Sequence, residues 1–294
     1  MDDGAPEVTA IIIVKDGEAF LGEAIDSVLG QVGAEPELVV VDDGSVDRTA
    51  EIVRNYERRY PGRVRLVSHP GGENRGMAAS RNLGIAHSRG RFIAFNDADD
   101  VWEPTKIAEQ VALFEAHPEV GLIYGRVLIW HSWSPGSTVE DHFVPLGVEP
   151  DRVQPPLVLF ELLMENRCQT PTPCCSMIRR TVFDRLGGFE PRFRAMFEDT
   201  TFFAKALATT PVYVSGRQWA KYRQHPQSAT AVSARAGRDD RARVRFLFWL
   251  RRSIRDHSSD PRVLAAVDRA LRETLSRVVR RPLWRIRRRL GLVR

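Results

Sequence analysis

Four short runs of aliphatic and β-branched residues recur through the first hundred positions: VTAIIIV (8–14), ELVVVDD (37–43), RVRLVS (63–68) and RFIAF (91–95). Helix-period segments fill the gaps between them. Residues 20–31 carry Phe20, Ile25, Val28 and Leu29 on one face, 47–60 are headed by Asp47 as a candidate cap, and 77–88 follow. Pro104 suits the first turn of the next helix. Strands joined by helical crossovers run parallel, with right-handed connections, and continuous apolar runs imply burial on both faces. The alternation therefore predicts an α/β fold with a mainly parallel central sheet flanked by helices.

Residues 131–155 have no clear period and are rich in Pro, Gly and Ser, which marks a functional or mobile loop. A helix near 156–166, a strand near 174–179, a helix at about 198–208 and strands near 212–223 are expected beyond it. From about 237 the chain reads as helices to its end. Charge divides at the same place. Residues 241–294 hold 17 arginines against Asp256, Asp260, Asp268 and Glu273, so a formal charge of +5 hides a tail at +13 and a remainder at −8. The predicted organisation is a main domain over 1–236, with halves at about 1–130 and 131–236, and a basic helical C-terminal extension over 237–294.

The start, MDDGAPEVTA, is acidic where a signal peptide is basic, and no apolar run approaches the roughly 20 residues of a membrane span. A cytoplasmic protein is expected, with the tail as a candidate for peripheral contact at the inner face of a membrane. Cys168, Cys174 and Cys175 are odd in number and lack CxxC spacing, so they read as buried free thiols.

Ligands of parallel α/β sheets gather at the carboxyl ends of the strands. Lys15 and Asp16 follow the first strand, DDGS (42–45) the second and DADD (97–100) the fourth. Taken singly, each cluster reads first as a polar turn, and like charges as close as Asp97, Asp99 and Asp100 repel unless a cation lies among them. Residues two apart in an extended segment point to one side, so Asp97 and Asp99 can approach the same ion. Carboxylates suit hard cations that also bind phosphate.

Together VTAIIIVKDGEAFLGEAIDSVLGQ, ELVVVDDGSVDRTAEIV, NRGMAASRNLGIAHSRGRFIAFNDADD and GGFEPRFRAMFEDTTFFAKAL resemble family 2 glycosyltransferases, inverting enzymes of the GT-A fold. The resemblance runs from about 8 to 226. It implies that Ile13, Lys15, Asp43, Arg81 and Asp97 bind a nucleotide-sugar donor, with Asp43 and Arg81 near the nucleotide. It makes Asp97 and Asp99 the DxD motif, with Asp99, Asp97 and His225 as ligands of Mg²⁺ or Mn²⁺. Glu198 and Asp199 match the catalytic ED motif, Asp199 serving as base; without the family the pair reads equally as a helix cap. YRQHPQSAT (222–230) resembles a later motif that supplies His225. The family's Pro–x–Tyr–Asn at the end of the first strand is here Ile13, Lys15 and Asp16, so the stacking ring is missing and the base of the donor is left open.

The implied activity is metal-dependent, inverting transfer of a sugar from a nucleotide-diphosphate donor to the hydroxyl of a sugar, lipid-linked or small-molecule acceptor. The acceptor would lie along 131–180, with Trp130, Trp133 and His131 as candidate contacts that could equally be packing. A sugar-nucleotide-binding protein without catalysis, or a nucleotidyltransferase, would use similar residues. Nucleic acid is not expected as a partner, since the arginine tail has few interleaved aromatics.

Overall fold

In the computed structural model, which describes residues 6–168, 171–194, 196–228 and 240–289 (side chains through 279), the expected alternation is present. Strands β1 (Val8–Val14), β2 (Glu37–Asp42), β3 (Val64–Ser68) and β4 (Phe92–Asp97) alternate with helices α1 (Leu21–Leu29), α2 (Thr49–Arg59) and α3 (Met77–His87). They form a parallel run in the order 3-2-1-4. Every residue of β1 and β2 is buried, because helices cover both faces of the sheet there. Helix α1 turns Leu21, Ala24, Ile25 and Val28 inward, whereas Phe20 lies before its first turn and goes to the site instead. The N-cap of α2 is Arg48 rather than the expected Asp47, which lies one residue earlier and accepts the Thr49 amide at 3.0 Å. Gly84 lets α3 pack closely on β1, since a Cβ there would lie 2.5 Å from the Ile11 side chain.

The second half comprises β5 (Val101–Trp102), α4 (Lys106–Ala116), β6 (Leu122–Trp130), β7 (His142–Phe143), β8 (Arg152–Gln154), α5 (Val158–Glu165), β9 (Ser176–Arg179), α6 (Arg180–Leu186), α7 (Thr200–Thr209) and β10 (Val212–Arg223). The sheet continues as 4-9-6-10-5. Strand β9 is antiparallel to both β4 and β6, and β10 is parallel to β6. β4, β6 and β10 therefore point the same way. The carboxyl ends of β1, β2, β4, β6 and β10 share one rim: Ile13 is level with Asp97, Val14 with Asp42, and Trp130 with Arg223. The loop after β6 contains only the short pairing strands β7 and β8.

The chain ends in α8 (Asp240–Ser253) and α9 (Pro261–Arg289). Phe246, Leu247 and Leu250 of α8 and Val263, Ala266, Val267 and Ala270 of α9 join the same hydrophobic core as the sheet. Arg251 pairs with Asp268 at 2.6 Å, and Arg269 with Glu165 at 3.5 Å. Trp249 and Leu250 do not face outward: Leu250 is fully buried, and Trp249 packs edge-on against Phe193 and donates to Glu190 at 3.0 Å. The side chains of Leu283, Trp284 and Ile286, and all of Leu290, lie outside the described residues, as do Ala229 and Thr230. Among the described residues no helix is long and apolar enough to cross a membrane. All three cysteines are free, with Cys174 and Cys175 buried.

Candidate active site

The turn after β2 organises the first part of the rim. Asp42 accepts the Ser45 amide at 2.9 Å, and Gly44 takes φ +79°, a conformation that costs a side chain dearly. Asp43 is almost fully buried. Its carboxylate accepts the amides of Arg75 (2.7 Å) and Gly76 (2.9 Å), with His69 Nε2 at 3.6 Å. It thereby anchors the entry to α3, and His69 adds a second tie at 3.0 Å from Ser80. Arg194 holds the same segment from the other side, donating to the Asn74 carbonyl at 2.8 Å.

One turn into α3, Arg81 is 2% exposed and bridges two carboxylates, Glu198 and Asp97, the latter at 3.2 Å. The bridge joins the ends of α3 and β4 to the start of α7. Burial opposes the Arg81 charge, but Glu198, Asp97 and Asp199 outweigh it and hold its pKa above the usual value. Burial raises the Glu198 carboxyl to about 7, partly offset by Arg81 and reinforced by Asp199 and Asp97. Burial likewise raises Asp97, against the pull of Arg81. Asp199 is the N-cap of α7, accepting the Thr200 amide at 2.6 Å, and is only half-buried. Phe197, immediately before the pair, has φ +65°, a strained value for a residue with a side chain.

The three carboxylates of DADD divide by environment. Asp97 goes to Arg81. Asp100 is fully buried, accepts the Arg223 amide at 3.0 Å, and is pushed well above the usual carboxylate range by burial and by Asp99 and Asp97. Asp99 remains a quarter exposed, with its Oδ2 2.8 Å from His225 Nε2. A carboxylate and an imidazole at that spacing can ligate one ion. Among the described residues no group of three or more His, Cys, Asp or Glu could cage a metal. Two protein ligands completed by substrate phosphates is a usual arrangement for Mg²⁺, so the donor set fits.

Arg223 carries no signal of its own in the sequence beyond its place beside His225. It is 3% exposed, donates from Nε to the Asp99 carbonyl at 2.8 Å, and pairs with Glu23 at 2.5 Å. Its guanidinium lies over Trp130, Phe20 and Trp133 at 4.5, 4.8 and 5.0 Å. Trp133 donates to the Gln224 carbonyl and Trp130 to Ser132. The two tryptophans thus wrap an arginine that fixes the DADD turn, and His131 stacks on His142 at 6.0 Å away from that arginine. Two donor candidates stand apart from the network. Ile13 is 7% exposed within the core, and Lys15 is solvent-facing and paired with Asp16 rather than Asp43.

Comparison with known proteins adds to this geometry. Residues 9–187 match Glycosyl transferase family 2. The chain is 32% identical over 128 residues to the putative glycosyltransferase EpsE of Bacillus subtilis, covering 44% of this chain and 45% of that protein. It is also 32% identical over 111 residues to the putative teichuronic acid biosynthesis glycosyltransferase TuaG of the same organism, covering 38% and 43%. The matched stretch spans less than half the length of each of these relatives. Among solved structures, TarS 1-349 of S. aureus in complex with UDP-GlcNAc superposes with a TM-score of 0.69 at 18% identity, over 92% of this chain and 71% of that one. The mannosyltransferase PcManGT from Pyrobaculum calidifontis, in complex with GDP-Man and Mn²⁺, gives 0.60 at 20% identity, over 99% and 82%. These structures share the GT-A-type fold.

Proposed function

The chain belongs to glycosyl transferase family 2, and from that premise we propose that it is a metal-dependent, inverting transferase acting on a nucleotide-diphosphate sugar. The observation that carries the reading is the Arg81 bridge, which draws the DxD residue Asp97 and the ED residue Glu198 into one site at the carboxyl edge of the sheet. Asp99 and His225, with Asp97 beside them, would hold Mg²⁺ or Mn²⁺, which supplies charge neutralisation for a leaving diphosphate. The reported complexes of PcManGT with GDP-Man and Mn²⁺ and of TarS with UDP-GlcNAc support this class of donor. Asp43 and Arg81 would border the nucleotide, and Lys15, solvent-facing at the mouth of β1 beside Asp16, would meet a phosphate.

Asp199 would take the proton of the acceptor hydroxyl as the new bond forms at the anomeric carbon and the bond to the nucleoside diphosphate breaks. A single in-line displacement of this kind inverts the anomeric centre. Glu198, saturated by Arg81 and buried, is the positioning member of the pair. Arg223 covers one face of Trp130 and of Trp133, so an acceptor would meet only the remaining surface of the two rings.

Incubating the protein with Mn²⁺ and UDP-, GDP-, dTDP- or CDP-sugars, and following both thermal stabilisation and nucleoside diphosphate release, tests the reading. Stabilisation by one donor that disappears with EDTA is expected, as is a product of opposite anomeric configuration by NMR. Retained configuration would overturn the mechanism, and release of pyrophosphate would make the protein a nucleotidyltransferase.

A further inference from the structure

We propose that the outer face of the α8–α9 hairpin docks on an anionic lipid bilayer, a property independent of the transfer reaction. Arg241, Arg245, Phe248, Arg252 and Arg255 follow one another at intervals of four and three residues and are all exposed, so they form one face of α8 and the turn that ends it. The opposite face holds Phe246 and Leu250 against the body. On α9 Thr274 is the last buried side chain among the described residues, and Arg272, Leu275, Ser276 and Val279 are open to water. Phe248 (50%), Leu275 (37%) and Val279 (62%) are among the large apolar residues that the protein exposes, and here they sit between arginines.

That combination selects the partner. Phosphate groups of either lipid or nucleic acid would be attracted by the net positive charge of this face, but a phenyl and two aliphatic side chains gain nothing from a nucleic-acid backbone. Each is covered when it enters the boundary between headgroups and acyl chains. The sequence past Val279 continues the theme, with Leu283, Trp284 and Ile286 among seven further arginines and no acidic residue. Charge also sets the orientation: residues 241–294, at +13, are drawn to an anionic surface, while residues 1–240, at −8, are repelled by it. No described helix can span a bilayer, so the contact is one of lying on the surface.

Co-sedimentation of the full-length protein with vesicles provides the test, using phosphatidylcholine alone and phosphatidylcholine mixed with phosphatidylglycerol. The protein should pellet only with the anionic vesicles and detach as salt rises above about 0.15 M. Phe248→Asp combined with Leu275→Asp should lower vesicle affinity by about tenfold or more while melting temperature and donor-induced stabilisation stay unchanged. Should that variant melt early, Arg252→Gln with Arg255→Gln provides a milder probe. It should weaken binding several-fold and flatten its salt dependence. Equal recovery with both vesicle types would overturn the proposal. So would wild-type vesicle binding in both variants, or preference for duplex DNA over anionic vesicles at the same salt.

Discussion

Glu198 and Asp199 are neighbours with opposite circumstances, and substitution should separate them. Glu198 is buried against a buried guanidinium, so Glu198→Gln removes the counter-charge of Arg81 and should cost about 3 kcal/mol of stability, read as a fall in melting temperature. Asp199 is half-buried and bonded only to its own helix start. Asp199→Asn should leave folding and donor binding near normal and lower turnover by about 100-fold or more, the scale of a lost general base. Near-normal turnover would move that role to another group. At the metal pair, Asp99→Asn should weaken donor binding only when Mn²⁺ is present; an equal response of wild type and variant to EDTA would dismiss Asp99 as a ligand. The resemblance to a family singled these residues out, whereas by spacing alone the carboxylates behind β4 read as a polar turn and Glu198 and Asp199 as a helix cap. Arg223 and the sorting of Asp97, Asp99 and Asp100 into three environments were not legible, because they depend on β10 lying across the sheet from a turn more than 120 positions earlier.

Elements were read most reliably where burial is two-sided. The runs at 8–14 and 37–42 coincide with β1 and β2, and the strand expected near 174–179 is β9, although nothing in its four residues SMIR tells that it lies antiparallel between β4 and β6. Helix α4 carries a feature that only packing creates. Lys106 is fully buried, donating to Gln110 at 2.8 Å and to the Ser176 carbonyl at 3.3 Å, and burial lowers its pKa to about 7, with the Cys175 and Cys174 thiols opposing. Its folded value lies below the unfolded value of 10.5, so between about pH 7 and 10.5 the unfolded chain binds the extra proton. This group therefore makes stability rise with pH across that window and adds no slope below it. Lys106→Met should abolish that part of the slope in urea melts taken from pH 7 to 10. An unchanged slope would mean that the ammonium keeps its charge, held by the Trp102 ring 4.1 Å from Nζ.

On the scale of the whole molecule, the division proposed near residue 237 is one of role, and the packing suggests that it is not one of folding. Phe246 of α8 stacks on Phe197 at 4.8 Å, and Phe197 is the strained residue that leads into Glu198 and Asp199. A residue held at φ +65° persists only when its surroundings over-determine it, and the ring stack is one such constraint. Phe246→Ala should then do two things: cost about 3–5 kcal/mol as a large cavity in the core, and lower turnover beyond what the loss of folded protein explains. Removing 240–294 altogether would uncover Phe193, Phe197 and the faces of α5 and α7, and should leave an aggregating or unfolded catalytic body. Deletion of 280–294 alone should keep the melting temperature within a few degrees, because Thr274 is the last buried side chain of α9 among the described residues. A catalytic body that stayed soluble and active after loss of 240–294 would show that the helices are an independent appendage and that Phe197 needs no support from them.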